Sequence, residues 1–172
     1  ILLIFSKYKK ISALFTSVFF KKKICKNDKI DVLFFVFHHP VWKLDEVYKR
    51  FNNDVRFNPV VILCPYITQG DNVMSSTMDT AYQYFTDKGF QVTKTKGDDG
   101  WLDINMHYKN KIIFFTNPHN ITFKKYQWSN FKRDIKFYVP YHHQIEAGQW
   151  DSQWNSAFHL SMSKLFYIAP FH

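Results

Sequence analysis

Ile30–Phe37 (IDVLFFVF) is an unbroken run of apolar, β-branched and aromatic residues. Such a run reads as a strand buried on both faces, the pattern of a parallel sheet. Downstream of it, Val41, Leu44, Val47, Tyr48 and Phe51 recur at helical spacing. Pro40 stands at the entrance, where a proline is tolerated, and Asn52-Asn53-Asp54 closes the segment. Pro59–Cys64 (PVVILC) is a second buried strand, stopped by Pro65.

The alternation continues to the C-terminus. After a polar loop at Thr68–Asn72, Met74, Met78, Ala81, Tyr82 and Phe85 form one apolar stripe, closed by Lys88-Gly89. Phe90–Thr95 reads as a short third strand, Gly97–Gly100 as a turn and Lys111–Phe115 as a fourth strand, ended by Thr116-Asn117-Pro118. Thr122 is expected to start a helix carrying Phe123, Tyr126 and Phe131. Ile135–Val139 is a fifth strand ended by Pro140, and Gln144–Phe166 is partly helical. Within that last segment Trp150, Trp154 and Phe158 read as packing residues. Five strands alternating with helices over short connections predict an α/β fold, an open parallel sheet with flanking helices. No internal repeat and no low-complexity segment interrupts it.

The chain has 172 residues, 46% hydrophobic and 22% charged, which is globular composition. Its 19 Phe and 10 Tyr allow a large aromatic core. The net charge of +9 suggests a polyanionic partner, but it is unevenly placed. Residues 1–30 carry eight lysines against Asp28, a net +7, whereas residues 31–172 carry 15 basic and 13 acidic residues. The basic character belongs to a leader, residues 1–29, and the body from residue 30 to 172 is nearly neutral, which argues against nucleic acid as the partner.

The leader alternates apolar clusters (Leu2–Phe5; Leu14-Phe15; Val18–Phe20) with lysines. As an amphipathic helix it either lies on an anionic membrane, lysines at the headgroups, or packs on the body with its lysines solvated. No apolar run reaches membrane-spanning length, and no small-residue cleavage site marks a signal peptide. Ile1 in place of Met reads as a fragment or a processed product. Cys25 and Cys64 make neither a disulfide framework nor a metal knuckle, which fits a reducing compartment.

In an open α/β sheet, ligands bind beyond the carboxyl ends of the strands, at the point where strand order reverses. Polar residues collect there: His38-His39-Pro40 with Trp42, Pro65-Tyr66, Thr116-Asn117-Pro118-His119, and Pro140-Tyr141-His142-His143. In the common 3-2-1-4-5 order, strands one and four flank the crevice and put His38, His39, Thr116 and Asn117 at its rim. Imidazole suits the removal of a proton from an acceptor hydroxyl near neutral pH, and Asn and Thr suit substrate hydroxyls or phosphate oxygens. Histidine and proline also make ordinary surface turns. Adjacent histidines in an extended chain point to opposite sides, so neither pair makes a metal clamp, and no metal or other cofactor is expected. Asp98, Asp99 and Asp103 read as a solvated loop, and Asn120-Ile121-Thr122 matches a glycosylation sequon. His38-His39-Pro40-Val41 stands where a glycine-rich phosphate loop would follow strand one, which argues against a dinucleotide-binding domain or a P-loop NTPase.

FFVFHHPVWKLDEVY, FNPVVILCPY, YFTDKGFQV, IIFFTNPHNIT and FYVPYHHQ together resemble the CDP-glycerol glycerophosphotransferases, the polymerases of teichoic acid and capsule, from about Ile30 onward. The resemblance implies the N-terminal, Rossmann-like half of a GT-B fold, with the CDP-alditol donor held by a second domain. It implies transfer of glycerol or ribitol phosphate to a lipid-linked polymer or glycan at the inner face of the cytoplasmic membrane, with release of CMP. A histidine after the last strand of the first domain is the family's proposed base, which here points to His142 or His143. His38, His39, Trp42, Thr116, Asn117 and Tyr141 are then the substrate-binding candidates. The stretch departs from the Trp-His-Gly pattern of the teichoic-acid branch. A nucleotide-sugar glycosyltransferase of similar fold, or a non-catalytic membrane-associated binding domain, are the alternatives.

Overall fold

The structure, a computed structural model, describes residues 29–140 and 156–166. Strands β1 (Ile30–Val36), β2 (Phe57–Leu63), β3 (Val92–Lys94), β6 (Lys111–Phe115), β7 (Ile135–Tyr138) and β8 (Lys164–Leu165) form one sheet in the order β3-β2-β1-β6-β7-β8. Every pairing in it is parallel. A separate antiparallel ribbon joins β4 (Lys96–Gly97) to β5 (Gly100–Trp101). In its turn only Gly100 takes a positive φ, +106°, a conformation that costs glycine nothing.

The decisive run behaves as its composition demands. Val32, Phe34 and Val36 point to one face of the sheet and Leu33, Phe35 and Phe37 to the other, all buried. On the first face lie α1 (Asp45–Asn52) and α2 (Asp71–Asp87), which bring Tyr48, Met74, Met78, Ala81 and Phe85 onto the sheet. Phe34 is their hub, with its ring 4.9 Å from Phe114 and 5.6 Å from Trp42. Tyr48 fixes the helix to the sheet: its hydroxyl donates to the Pro59 carbonyl (3.2 Å) and accepts from the Gln91 N–H (2.7 Å). The second face is covered by α3 (Ile104–His107), α4 (Ala157–Ser161) and a run of short turns, with Tyr126, Phe131 and Phe158 at its centre.

Together these elements make an α/β, Rossmann-like open sheet, in the order 3-2-1-4-5 expected from the sequence with a sixth strand added at the edge. That strand, β8, comes from the C-terminal segment with no clear sequence pattern; it has two residues and no periodicity to read. The helix expected from Thr122 is replaced by two 3-10 turns, Lys124–Tyr126 and Trp128–Asn130. Tyr126 and Phe131 both reach the same core layer, whereas on one α-helix they would stand about 140° apart around its axis. Asp103, exposed as its reading in a solvated loop expects, also caps α3 by accepting from the N–H groups of Asn105 (2.8 Å) and Met106 (3.1 Å). The leader before Lys29 lies outside the described residues, and no helix among those described is long and apolar enough to cross a membrane.

Candidate functional site

The order of strands places the crevice. β1 connects onward to β2 on one side and pairs with β6 on the other, so the chain reverses direction across the sheet between β1 and β6. At the carboxyl end of β1 the backbone stays extended through His38 and then tightens into the 3-10 turn His39–Val41, with Pro40 at its start. Pro40 favours that turn because its ring presets φ. At the end of β2, Cys64 and Pro65 are buried and Tyr66 emerges, before a 3-10 turn and Gly70 lead into α2.

The two histidines of the β1 turn are divided between neighbours. The His38 ring meets Tyr66 edge-on at 5.5 Å, and the His39 ring lies 4.7 Å from Tyr84 of α2. Between this turn and α2 runs a cleft of about 310 Å³, lined by His38, His39, Pro40, Ser76, Thr77 and Thr80. Ser76, Thr77 and Thr80 share one helix face. Ser76 donates to the Val73 carbonyl (3.1 Å) and Thr80 to the Ser76 carbonyl (2.9 Å), so both oxygens keep lone pairs for a ligand donor. The Thr77 hydroxyl has no hydrogen-bond partner among the described residues. Burial, helped by the charge of His39, pushes the His38 pKa below the usual histidine value. His38 is therefore neutral at pH 7 and able to accept a proton or hydrogen bond from a hydroxyl.

The remaining expected residues fall in three groups. Asn117 is at the rim and half-buried; its side-chain oxygen accepts from the His119 N–H at 2.8 Å, which leaves its amide N–H₂ for a ligand. Thr116 and Trp42 are corrections. Thr116 is 5% exposed and its hydroxyl donates to the Phe35 carbonyl (3.3 Å), tying β6 to β1 where the ladder ends. Trp42 is 8% exposed, packed on Phe34 and Phe85, with its indole N–H held by Asp45 at 2.6 Å. Its large ring gains more from the core than from the rim, and its polar atom finds a partner there. Tyr141, His142 and His143 lie outside the described residues.

The same edge holds a pair that the sequence reading passed over. His159 of α4 is 2% exposed, with Nδ1 at 2.9 Å from the Ser156 hydroxyl and its ring 5.3 Å from Tyr138. Burial, with the charge of His119 beyond it, pushes its pKa down to about 4. The Ser-x-x-His spacing at a helix start was the available signal. Cys64 is buried and its thiol is pushed well up by burial, so it is a packing residue. The sequon threonine, Thr122, is also buried, and its hydroxyl has no partner among the described residues. No group of three or more metal-ligating side chains occurs among the described residues. No family model, curated protein or solved structure matches the chain.

Proposed function

We propose that the carboxyl-edge crevice receives the hydroxyl end of an acceptor, and that the chain is the acceptor-side domain of a transferase. The reaction moves glycerol or ribitol phosphate from a CDP-linked donor to a cell-surface polymer or lipid-linked glycan. The observation that carries the reading is the cleft between the carboxyl-end turn of β1 and α2, where a neutral imidazole shares the wall with a row of helix hydroxyls. Such a site binds polyol hydroxyls by hydrogen bonding, with the neutral His38 ring as one acceptor.

In the proposed step the acceptor oxygen attacks the phosphorus that bears the alditol. The bond from that phosphorus to the CMP oxygen breaks, and the acceptor proton passes to an imidazole. His142 or His143, which follow β7, is the proposed base, and His38 and Asn117 orient the acceptor. Cationic groups of a donor-binding domain stabilise the diphosphate. Residues 1–29, with their eight lysines, hold the enzyme at the anionic inner face of the cytoplasmic membrane, where lipid-linked acceptors lie.

The resemblance implies a second domain for the donor, so turnover is tested on the full-length gene product. Acceptor-dependent CMP release from CDP-glycerol or CDP-ribitol is the expected result, lowered by His142→Ala or His143→Ala with the fold intact. Release of UDP or GDP from a sugar nucleotide instead assigns the protein to the glycosyltransferases. No turnover of any of these donors overturns the enzymatic reading.

A further inference from the structure

The opposite edge of the sheet carries a second, larger cleft of about 590 Å³. Lys124, Lys132 and Arg133 stand around it, with Asn105, Ser129 and Asn130 between them. Its place in the fold is set by two contacts: Asn105 receives the Nζ of Lys111, the first residue of β6, and Asp134 on its wall directly precedes β7. The cleft therefore lies at the amino ends of β6 and β7, separated from the carboxyl-edge crevice by the five residues of β6, about 16 Å of strand.

The charges in this cleft are not balanced. Lys124, Lys132 and Arg133 are exposed, and among the described residues none of them is ion-paired. The one acid on the wall, Asp134, is offset from behind by the buried Lys111 ammonium at 3.3 Å. Lys111 also donates to the Asn105 side-chain oxygen (2.9 Å) and the Tyr108 carbonyl (3.0 Å). It thereby turns the Asn105 amide N–H₂ outward, where one N–H meets the Asn130 carbonyl (3.4 Å) and the other is left as a donor. The Ser129 hydroxyl adds another donor. An arginine fork, two lysines and neutral donors around a concave space suit a ligand with several anionic oxygens on one centre.

We propose that this cleft is a phosphate-binding site, distinct from the crevice at the carboxyl edge and independent of the transferase reading. Its ligand is a phosphate mono- or diester, either a soluble phosphate ester or the headgroup of an anionic phospholipid. Lys29 and the start of β1 stand at this same edge.

The test is an amide NMR titration of the whole chain with glycerol 3-phosphate, against sodium chloride at equal ionic strength. Co-sedimentation with phosphatidylglycerol–phosphatidylcholine vesicles runs beside it. Each is compared with the Lys132→Ala/Arg133→Ala variant, whose changed side chains are exposed and leave the core intact. The expected result is saturable shifts confined to Asn105 and residues 124–134, or vesicle binding, weakened at least about tenfold in the variant. Shifts with the soluble ester identify a soluble ligand, and loss of vesicle binding without such shifts identifies a headgroup. Equal behaviour of both proteins in both assays, or shifts reproduced by chloride, overturns the proposal.

Discussion

Replacing Lys111 by Met breaks an ion pair that the fold has almost closed off from water. The Lys111 side chain is 3% exposed and that of Asp134 is 11% exposed, with 3.3 Å between Nζ and the carboxylate oxygen. The ammonium also supplies the hydrogen bonds to Asn105 and the Tyr108 carbonyl. Met keeps most of the volume, so the loss is electrostatic: a carboxylate stays near the base of β7 without its cation, and two acceptors lose their donor. Removing one partner of such a pair costs about 3–5 kcal/mol. Asp134→Asn costs less, because Lys111 keeps its two other acceptors. The double variant recovers part of the loss, with a coupling energy of about 1–3 kcal/mol. Urea unfolding followed by far-UV circular dichroism on the four proteins of the cycle measures each quantity. A Lys111→Met cost below about 1 kcal/mol, or single effects that add to within about 0.5 kcal/mol, refutes the reasoning.

Gly89 follows α2 with φ +71°, and its N–H and that of Phe90 close on the carbonyls of Thr86 and Phe85. A Cβ there meets nothing within 4 Å, so Gly89→Ala costs only the backbone strain, about 1–2 kcal/mol, read as a lower urea midpoint. Trp42→Phe keeps an aromatic ring in the core but loses the bond to Asp45; a loss of about 1–3 kcal/mol with unchanged ligand binding at the crevice is expected. A loss of binding instead restores Trp42 to the site. His159 is held neutral in the fold down to about pH 4, whereas the unfolded chain takes up its proton below about 6.5. The unfolded state thus binds more protons in that window. The stability due to neutral His159 is whole above 6.5 and lost as pH falls toward 4. His159→Gln should flatten the stability profile there, and an unchanged slope contradicts the burial argument.

The central fold was readable because its strands are buried on both faces. Ile30–Val36 and Phe57–Leu63 carry almost no polar residue, so no helix pattern competes with the strand pattern. The region from Thr122 to Asn130 misled because its apolar residues approximate helical spacing. Tertiary demand, with Tyr126 donating its hydroxyl to the Leu102 carbonyl at 2.8 Å, bends the chain into two short turns. At the site, His38 and His39 were legible as cleft candidates because they directly follow a strand end. The helix side of the cleft stayed hidden, since Ser76, Thr77 and Thr80 look like any polar helix face until α2 is docked. Trp42 misled in the opposite way, as an aromatic near a rim motif that the core claimed. The basic cleft was illegible because its cations come from an irregular segment, and the acid beside them is offset by a lysine more than twenty residues upstream.

The most direct test of the account is a histidine-selective NMR titration of the chain with an oligomer of glycerol phosphate. Saturable shifts of the His38 and His39 ring signals, abolished by Thr77→Val/Thr80→Val, are the predicted result. Ring signals that stay fixed at every oligomer concentration, or that move alike in the threonine variant, contradict acceptor binding at the carboxyl edge.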